Sequence, residues 1–529
     1  MQTSRCQCEK TRVGTERQDS ILEETTNFRL VVGESLRRNA YKYPAKVAVK
    51  DSKRATSYRE LNERVNGIAQ GLQRKGVGSG DPVALLIGNR IEHIEVLFAL
   101  AKIGALAIPL DVKWRSIEIA STLRHLCPVA LFLEPEAAPA YNEAQRQEAL
   151  DSIKLEITVG DSVYESMAKA GSLKEPDAQV REEDDFIVMI TSGTTGFPKG
   201  CLANHRTYVL ICINNAIEKG MGPHDVAILA SPIYFSHGRN FSLTTIYFGG
   251  TLVLHERFDA SRFLQAVEKE KVTYIGAVPT MCERFLEVPD LKQYDLRSLR
   301  CISITGSKLQ PRTLEGLRIH LTPNIYRTYA ATDCGQMAIS TPRDLDYKPT
   351  AAGRPIWCVD LRIVDDAGSP VPLKETGEII CQSALATQGY YRNPEATAES
   401  FRDGWFYTGD LGYFDEEGFL YIVGRKKDMI KSGGISVYPD EIEAILYTHP
   451  DVAEAAVIGL PDTRWGEAVK AVIVLKNCAV TNPDALTQFC KERLAPYKVP
   501  KSVDIVNSIP RTDMGKVAKE KLRQIYYKE

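Results

Sequence analysis

The chain has 529 residues, of which 44% are hydrophobic and 25% are charged, and its formal net charge is −2. This length predicts more than one domain, and the nearly balanced charge argues against a protein that binds nucleic acid through a basic surface. The most apolar stretch, residues 96–110, contains Lys102 and is too short to cross a bilayer, so we expect no membrane span.

The N-terminal residues 1–26 are polar and lack the apolar core of a secretory signal, so we predict a flexible tail. Twelve cysteines are spread along the chain without a C-x-x-C pair, and only Cys6 and Cys8 lie close together. A C-x-C pair in a tail is weak support for a metal site. Free thiols predict a reducing compartment, hence a cytoplasmic location.

The next several hundred residues alternate between apolar strands and helices. Residues 82–89 predict a strand, 90–104 a helix that ends at Gly104, and 105–111 a second strand. Further strands are predicted at 128–134, 186–193 and 299–307, and Asp259 is the predicted N-cap of a helix that leads into another strand. This alternation predicts an α/β fold with helix-covered parallel sheets.

The pattern changes after about residue 351. Residues 360–382 alternate in polarity and turn at 366–370, which predicts antiparallel strands. Beyond residue 428 a short α+β segment follows. We therefore predict that a hinge between two parts of the chain lies within the charged stretch 424–428.

A glycine-rich loop, ITSGTTGFPKG at residues 190–200, follows the strand at 186–190. Its glycines can turn backbone N–H groups toward an anion, its hydroxyls add donors, and Lys199 adds a positive charge. The pattern does not match the P-loop, because Pro198 precedes the lysine and Gly200 follows it. The loop nevertheless predicts a phosphate-binding site.

Four further stretches carry a family resemblance: TYAATDCGQ at 328–336, YYRNPEAT at 390–397, residues 404–443, and PRTDMGKVAKEKL at 510–522. Their order and spacing resemble the adenylate-forming superfamily of acyl- and aryl-CoA synthetases, nonribosomal-peptide adenylation domains and beetle luciferase. The chain is most similar to an AMP-forming acyl-CoA synthetase. The resemblance extends from about Asn27 to the C-terminus.

The resemblance implies a large N-terminal domain over residues 27–424, made of helix-covered β-sheets with a β-barrel-like subdomain, and a small mobile α+β C-terminal domain over residues 425–529. It also implies a reaction in two steps. A carboxylate attacks the α-phosphate of MgATP to form acyl-AMP and pyrophosphate, and a thiol then accepts the acyl group. The implied cofactors are ATP and Mg²⁺, with CoA as the expected co-substrate.

The resemblance also implies roles for individual residues around the nucleotide. The phosphate loop contributes Thr191, Ser192, Gly193, Thr194, Thr195 and Lys199; the adenine side contributes Gly306, Ser307 and Tyr329; the ribose side contributes Asp410 and Arg425. Asp333 matches the acid associated with Mg²⁺, which is usually Glu in the family. The shorter Asp side chain makes a contact through water more plausible.

Catalysis is implied for Lys516, His237 and Thr332, with Lys516 stabilising charge in the transition state of the first step. Lys427 matches the hinge between the domains. Lys431, Gly433 and Gly434 match the loop beside the tunnel through which the thiol enters.

The acid pocket is expected to include Tyr234, Arg239, Asn240 and Ala331. Enzymes that activate amino acids usually have an aspartate shortly before the His237 position, and this chain has none there. Arg239 would need a partner if buried. We expect a short or aromatic acid with a polar group, although Arg239 could instead face solvent or pair with an acid of the protein.

Several alternatives remain open at this point. The acceptor is expected to be CoA, with an acyl or peptidyl carrier protein as the second possibility. A luciferase-like oxygenase and a non-catalytic nucleotide-binding scaffold are further alternatives, the latter disfavoured by the intact set of catalytic residues. The sequence does not specify the acid or the oligomeric state.

Overall fold

The computed structural model describes residues 29–171, 173–191, 199–229, 231–307, 309–432, 435–476, 479–512 and 516–527. The chain in these ranges builds three sheets up to residue 425 and a fourth sheet after it. The mixed α/β architecture, with a large N-terminal part and a smaller C-terminal part, is confirmed. Among the described residues, no helix has the length and apolar character needed to cross a membrane. The predicted tail, residues 1–26, lies outside the described ranges.

The strands of the large part are β1 (Val47–Lys50), β2 (Ala55–Ser57), β3 (Pro82–Leu86), β4 (Leu106–Pro109), β5 (Ala130–Leu133), β6 (Leu155–Thr158), β7 (Asp185–Thr191), β8 (Lys199–Asn204), β9 (Val226–Leu229), β10 (Thr251–Leu254), β11 (Tyr274–Ala277), β12 (Cys301–Thr305), β13 (Ile325–Ala331), β14 (Gly335–Ser340), β15 (Arg354–Pro355), β16 (Val359–Val364), β17 (Gly377–Ser383), β18 (Phe401–Arg402), β19 (Trp405–Phe414) and β20 (Leu420–Arg425). The small part adds β21 (Ile430–Ser432), β22 (Ile435–Val437), β23 (Val452–Asp462), β24 (Gly466–Leu475) and β25 (Ser502–Ile505).

The helices of the large part are α1 (Val32–Lys42), α2 (Tyr58–Arg74), α3 (Ile91–Ile103), α4 (Ser116–Leu126), α5 (Ala138–Gln147), α6 (Ser162–Lys169), α7 (His205–Lys219), α8 (Ser236–Tyr247), α9 (Ala260–Glu270), α10 (Pro279–Leu286), α11 (Pro311–His320), α12 (Pro342–Tyr347) and α13 (Pro394–Ser400). The small part contains α14 (Pro439–Leu446), α15 (Pro483–Lys491) and α16 (Lys519–Tyr526). Short 3₁₀ turns occur at Pro135–Ala137, Leu291–Gln293 and Lys426–Asp428.

Two largely parallel sheets form the body of the large part. The first has the order β6-β5-β3-β4-β7-β8, and the second has the order β15-β14-β13-β12-β11-β9-β10-β1-β2. Helix α3 is buried over nearly its whole circumference, and its core cluster contains residues of both sheets. A helix without a polar face must be covered on all sides, so the apolar run at 96–110 is a core helix followed by strand β4.

Sequence signals at the helix ends correspond to observed contacts. The Asp259 side chain accepts a hydrogen bond from the Arg262 backbone N–H at 2.8 Å, as predicted for the N-cap of α9. Gly104 ends α3 in the left-handed conformation with φ of 70°. Glycine adopts this conformation without steric cost.

The third sheet is antiparallel and holds β16, β17, β18, β19 and β20. Strand β16 pairs with β17, and the long strand β19 pairs with β17, β18 and β20. This confirms the antiparallel strands predicted after residue 351. The region that was expected to be barrel-like is thus a five-stranded antiparallel sheet in the described residues.

The small part is an α+β unit around β22-β21-β24-β23, with β25 parallel to β24. Its own core includes Val457, Ile473 and Leu486, all fully buried. Strand β20 ends at Arg425 and β21 begins at Ile430. The predicted hinge stretch 424–428 therefore lies between the third and fourth sheets.

Candidate active site

The glycine-rich loop leaves the first sheet as the connection between β7 and β8. Thr191 is paired with Lys199 in the antiparallel register, and the Thr191 hydroxyl donates to the Lys199 carbonyl at 3.2 Å. This pairing brings the two ends of the loop together at the end of β7. The predicted phosphate ligands Ser192, Gly193, Thr194 and Thr195 lie outside the described residues.

Tyr390 connects the base of this loop to Asp333. The Lys199 Nζ lies 4.6 Å from the centre of the Tyr390 ring, and the Tyr390 hydroxyl donates to Asp333 Oδ1 at 2.5 Å. The Cys201 thiol makes a weaker contact with the same oxygen at 3.5 Å. Burial and the Asp333 charge raise the pKa of Tyr390, so the hydroxyl remains a donor. The motif YYRNPEAT, which begins at Tyr390, did not by itself indicate a role for this tyrosine.

A second carboxylate, Asp410, is held by residues from two other segments. The Tyr329 hydroxyl donates to Asp410 Oδ2 at 2.7 Å, and Arg425 Nε lies 3.0 Å from Oδ1. Burial, followed by the Asp410 charge, raises the pKa of Tyr329. The structure thus groups three residues that the sequence had assigned to the adenosine end of the nucleotide.

The predicted adenine-side loop lies next to this group. Strands β12 and β13 are parallel with Thr305 opposite Thr328, so Gly306 and Ser307 follow β12 beside the end of β13. Gly306 has φ of +101°, a backbone conformation in which a residue with a side chain would be strained. Gly306 and Ser307 are both exposed. Ligands of open α/β sheets bind outside the carboxyl ends of parallel strands, which is where this loop lies.

Lys516 comes from the small part and reaches the same edge. Its backbone N–H donates to the Thr512 hydroxyl at 3.2 Å, and the Thr512 N–H donates to the Lys516 carbonyl at 2.7 Å. The side chain reaches solvent, yet surrounding protein atoms and the Arg425 charge lower the pKa of Lys516, while Asp410 opposes the shift. The ammonium therefore lies within electrostatic range of the Asp410–Arg425 pair.

Ser236, which directly precedes His237, lies close to Thr332. The hydroxyl oxygens of Ser236 and Thr332 are 3.4 Å apart. His237 Nε2 is buried without a hydrogen-bond partner, and it would lie 3.3 Å from a Cβ placed on Gly276. Burial and then the charge of Lys219 lower the pKa of His237 to about 4, so the imidazole is neutral near pH 7.

Arg239 points away from His237. The two residues are about 200° apart around α8, given 3.6 residues per turn. Arg239 is fully buried; its Nε donates to the Tyr208 hydroxyl at 3.1 Å and its Nη1 donates to the Tyr234 carbonyl at 3.0 Å. Arg239 therefore neither faces solvent nor forms an ion pair with an acid among the described residues, and its Nη2 is buried without a partner there. Its predicted contact with the substrate stays a prediction.

Of the other residues expected in the acid pocket, Asn240 lies with Arg239, because its side-chain oxygen accepts from the Tyr208 hydroxyl at 2.5 Å. The Tyr234 ring packs edge-on against Phe235 at 4.7 Å. Ala331 is the last residue of β13 and directly precedes Thr332.

Comparison with known proteins agrees with this geometry. The family model described as AMP-binding enzyme matches residues 36–391, and the model of the AMP-binding enzyme C-terminal domain matches residues 441–516. The chain belongs to the AMP-binding enzyme family. It is an AMP-forming acid–thiol ligase, which activates a carboxylic acid with ATP before transfer to a thiol.

Individual relatives are similar over nearly their whole length. A feruloyl-CoA synthase from Amycolatopsis sp is 35% identical, with 92% of this chain and 97% of that protein covered. A 2-succinylbenzoate–CoA ligase from Geobacillus kaustophilus is 34% identical, with coverage of 93% and 97%. The crystal structure of ATP-bound MatB from Rhodopseudomonas palustris has a TM-score of 0.87 and 28% identity, with coverage of 94% and 99%.

AMP-binding enzymes generally use Mg²⁺, and the residues near the phosphate loop fit this ion. Asp333 Oδ1 is engaged by Tyr390, and among the described residues no side chain forms a hydrogen bond or an ion pair with Oδ2, so Oδ2 is available to an ion. No group of three or more His, Cys, Asp or Glu side chains suited to a metal occurs in the described ranges. Mg²⁺ commonly takes one or two carboxylates and completes its shell with phosphates and water. Asp333 is the residue that would hold it.

The predicted hinge residue of this AMP-binding enzyme, Lys427, is exposed in the 3₁₀ turn Lys426–Asp428. On one side, Lys426 forms ion pairs with Glu378 at 2.9 Å within the third sheet. On the other, Asp428 pairs with Arg523 of α16 at 2.8 Å. Each neighbour of Lys427 is therefore attached to a different part of the molecule.

The predicted thiol-tunnel loop begins in β21. The exposed Lys431 donates through its backbone N–H to Glu467 at 2.6 Å. Gly433 and Gly434 lie outside the described residues. The role of this loop in thiol entry stays a prediction.

Proposed function

We propose that this ligase activates an aromatic carboxylic acid and transfers it to CoA. The observation that carries the proposal is the similarity to ligases whose names contain aromatic acids. The surroundings of His237 are also aromatic: Phe241, one turn further along α8, stacks on Tyr274 of β11 with ring centres 5.0 Å apart and planes 15° apart, and both rings are buried. Gly276 lies next to this pair, where a Cβ would approach a ring carbon of Phe241 to 2.7 Å.

The relatives support the same class of acid. The feruloyl and 2-succinylbenzoyl groups in the names of two relatives are both aromatic. The relatives also include proteins named for long-chain fatty acids, at 33% identity. We favour the aromatic class because the feruloyl and 2-succinylbenzoyl relatives are 35% and 34% identical to this chain.

In the proposed mechanism, the substrate carboxylate attacks the α-phosphorus and pyrophosphate leaves. Lys516 stabilises the negative charge that develops between the two reacting groups. Asp410, oriented by Tyr329 and Arg425, accepts hydrogen bonds from the ribose hydroxyls. Mg²⁺ bound at Asp333 would neutralise charge on the phosphates. The thiol sulfur then attacks the acyl carbon, and AMP leaves.

CoA is the proposed acceptor of the acyl group. The alternative acceptor is the pantetheine of a carrier protein, and the test below distinguishes the two. We also propose a cytoplasmic location, for which the support is the cysteine usage of the sequence.

The test is a matched panel of benzoate, cinnamate, malonate, octanoate and palmitate, each incubated with MgATP, with and without CoA. We expect the aromatic acids to release pyrophosphate and to form a CoA thioester. Their kcat/KM should be at least about tenfold above that of the other acids, because a small difference in apolar contact between substrate and pocket changes kcat/KM by about this factor. A preference for octanoate, palmitate or malonate would exclude the aromatic class. Adenylation without CoA thioester would indicate a carrier protein as acceptor.

A further inference from the structure

Strand β19 contains a bulge that includes Asp410. Residues 408–410 of this strand all lie opposite the single residue Ile379 of β17, whereas a regular antiparallel pair places one residue opposite one. Gly409, in the middle of the bulge, has φ of +69°, a conformation that glycine adopts without strain. A bulge changes the direction in which its side chains leave the strand. The direction of the Asp410 side chain therefore depends on how this bulge is held.

Two side chains supply hydrogen bonds that the bulge does not make within the ladder. The Thr408 hydroxyl donates to the Ile379 carbonyl at 2.7 Å and accepts the Asp410 backbone N–H at 3.0 Å. The Gly409 backbone N–H donates to Glu378 Oε1 at 3.2 Å. Backbone groups that leave a ladder need partners of this kind. Thr408 and Glu378 therefore fix the backbone that leads into Asp410.

Glu378 is itself fixed by an ion pair. Its side chain is 11% exposed, and Oε2 lies 2.9 Å from Nζ of Lys426. The exposed Asp366 contacts the same ammonium at 2.9 Å. A buried carboxylate is costly unless it is paired and hydrogen-bonded, and here each oxygen of Glu378 has a partner. Glu378 is thus held in one orientation toward Gly409.

The contact between Glu378 and Gly409 is one residue away from Asp410. The carboxylate of Asp410 is bonded by Tyr329 at 2.7 Å and by Arg425 at 3.0 Å. These two bonds hold the oxygens of Asp410, whereas Glu378 holds the backbone from which they extend. Groups that bind a ligand must be held within about 0.5 Å of their working position. Removing the backbone contact should therefore displace the Asp410 carboxylate and leave the rest of the site in place.

We propose that Glu378 is a positioning residue for nucleotide binding, which fixes the bulge so that the Asp410 carboxylate faces the two ribose hydroxyls of ATP. The inference rests on the ribose contact assigned to Asp410 in the proposed function and specifies what holds that contact. Lys426 acts one step further away, because it orients Glu378.

The test compares the binding of ATP with that of 2′,3′-dideoxy-ATP, which lacks both ribose hydroxyls, by titration calorimetry with Mg²⁺ present. In wild type we expect ATP to bind about 10- to 100-fold more tightly, the range for hydrogen bonds to a charged group. Glu378→Ala should weaken ATP binding by about tenfold and leave dideoxy-ATP within about twofold, because only the ribose contact is misaligned. A purely structural role for Glu378 would weaken the binding of both nucleotides equally.

Three further variants separate the parts of this contact. Glu378→Gln should bind ATP within about threefold of wild type, because its amide oxygen still accepts the Gly409 N–H. Lys426→Met should give an intermediate loss for ATP alone, since Glu378 keeps its neighbour Gly409 but loses its cation. Glu375→Ala is the matched control, because it removes a carboxylate from an exposed position shortly before β17. It should bind both nucleotides like wild type.

Equal losses for the two nucleotides in Glu378→Ala, or no loss for either, overturn the inference. A loss of ATP affinity that Glu378→Gln shares in full also overturns it, because an accepting oxygen would then be insufficient. Should Glu378→Ala not fold, Thr408→Val removes the other contact of the bulge at nearly the same side-chain volume. It should show the same difference between ATP and dideoxy-ATP.

These titrations separate the inference from the proposed function, because they require neither an acid nor CoA. If the acid panel yields no aromatic CoA thioester, the proposed function fails while the loss of ATP selectivity in Glu378→Ala still supports the inference. Asp410→Ala should not distinguish the two nucleotides, and adding Glu378→Ala to it should change neither affinity by more than about twofold. Wild-type selectivity retained in Asp410→Ala, or a further loss in the double variant, overturns the inference.

Discussion

Asp333 shows how a single substitution in a motif is accommodated at the residue scale. The family usually has a longer acid there, and the shorter aspartate is fixed by the Tyr390 hydroxyl, which is itself in contact with Lys199 through its ring. The loop lysine, the aromatic ring and the acid thus form one chain of contacts. Sequence reasoning identified both ends of this chain but not the tyrosine between them.

We expect Asp333→Asn to raise the Mg²⁺ concentration needed for half-maximal ATP–pyrophosphate exchange by at least about tenfold, because it removes the negative ligand at nearly constant volume. Tyr390→Phe should give a smaller rise, since the carboxylate remains and only its orientation is lost. The check is an Mg²⁺ titration of both variants, together with the thermal shift produced by MgATP. Titrations that match wild type in both variants would place the ion elsewhere.

Three buried histidines make the folded state sensitive to acid. Burial lowers the pKa of His93, His205 and His237 to about 4 each. His205 Nδ1 accepts the Val32 N–H at 3.3 Å, which requires the neutral ring. As pH falls, the unfolded chain takes up protons near pH 6.5 and the folded chain only near pH 4, so stability is lost between these values.

The expected loss in unfolding free energy is up to about 3 kcal/mol per histidine between pH 6.5 and pH 4. Urea denaturation at pH 7.5, 5.5 and 4.5 measures it. His93→Gln should flatten the dependence by about one third. A free energy that is constant down to pH 4.5 would show that these side chains take up protons in the folded state.

At the scale of elements, the turn Lys426–Asp428 is the point where motion between the two parts would be concentrated. Lys426 is bound to the third sheet and Asp428 to α16, so any rotation of the small part must change the backbone angles at or beside Lys427. Hinges are typically a few such residues at element ends.

Lys427→Pro should retain adenylation and lose thioester formation by about tenfold or more, because proline fixes φ and should hold one arrangement. Lys427→Ala, which keeps the backbone free, is the control and should behave like wild type. ATP–pyrophosphate exchange and CoA thioester formation from supplied acyl-AMP measure the two steps separately. Equal rates for both steps in Lys427→Pro would place the hinge at another residue.

At the scale of the whole molecule, the active site is assembled from both parts of the chain. In the proposed site, the large part provides the loop, Asp333 and Asp410, and the small part provides Lys516, whose pKa is lowered by the surrounding protein atoms and then by the Arg425 charge. Only the first half-reaction builds charge on phosphorus. A lysine delivered from the small part can therefore serve the first step and be withdrawn for the second.

We expect Lys516→Ala to lose adenylation by roughly 10²- to 10³-fold, the usual value of one preorganised electrostatic group. Thioester formation from synthetic acyl-AMP and CoA should stay within about threefold of wild type. Lys521→Ala, which removes an exposed lysine from the same segment, is the control. Normal adenylation in Lys516→Ala would rule out the assigned role.

The sequence by itself determined the features that depend on local order along the chain. The alternation of strands and helices, the N-cap Asp259 and the glycine-rich loop are read within windows of a few residues, and the family motifs are recognised by their spacing. The same motifs identified Lys516 and Asp410 as candidate site residues. It could not fix which face of α8 Arg239 occupies, because both faces of that helix are covered in the fold.

Only the tertiary structure decided the surroundings of the buried polar groups. Tyr390 reaches Asp333 across 57 positions of the chain, and Lys219 reaches Gln336 across 117. Such contacts depend on how α7, β13 and β14 pack. The two residues of each contact are too far apart in the sequence for a local pattern to include both of them. Lys219 reads in the sequence as an ordinary lysine at the end of a helix. Its burial, with hydrogen bonds to Asn215 and Gln336, is seen only in the fold.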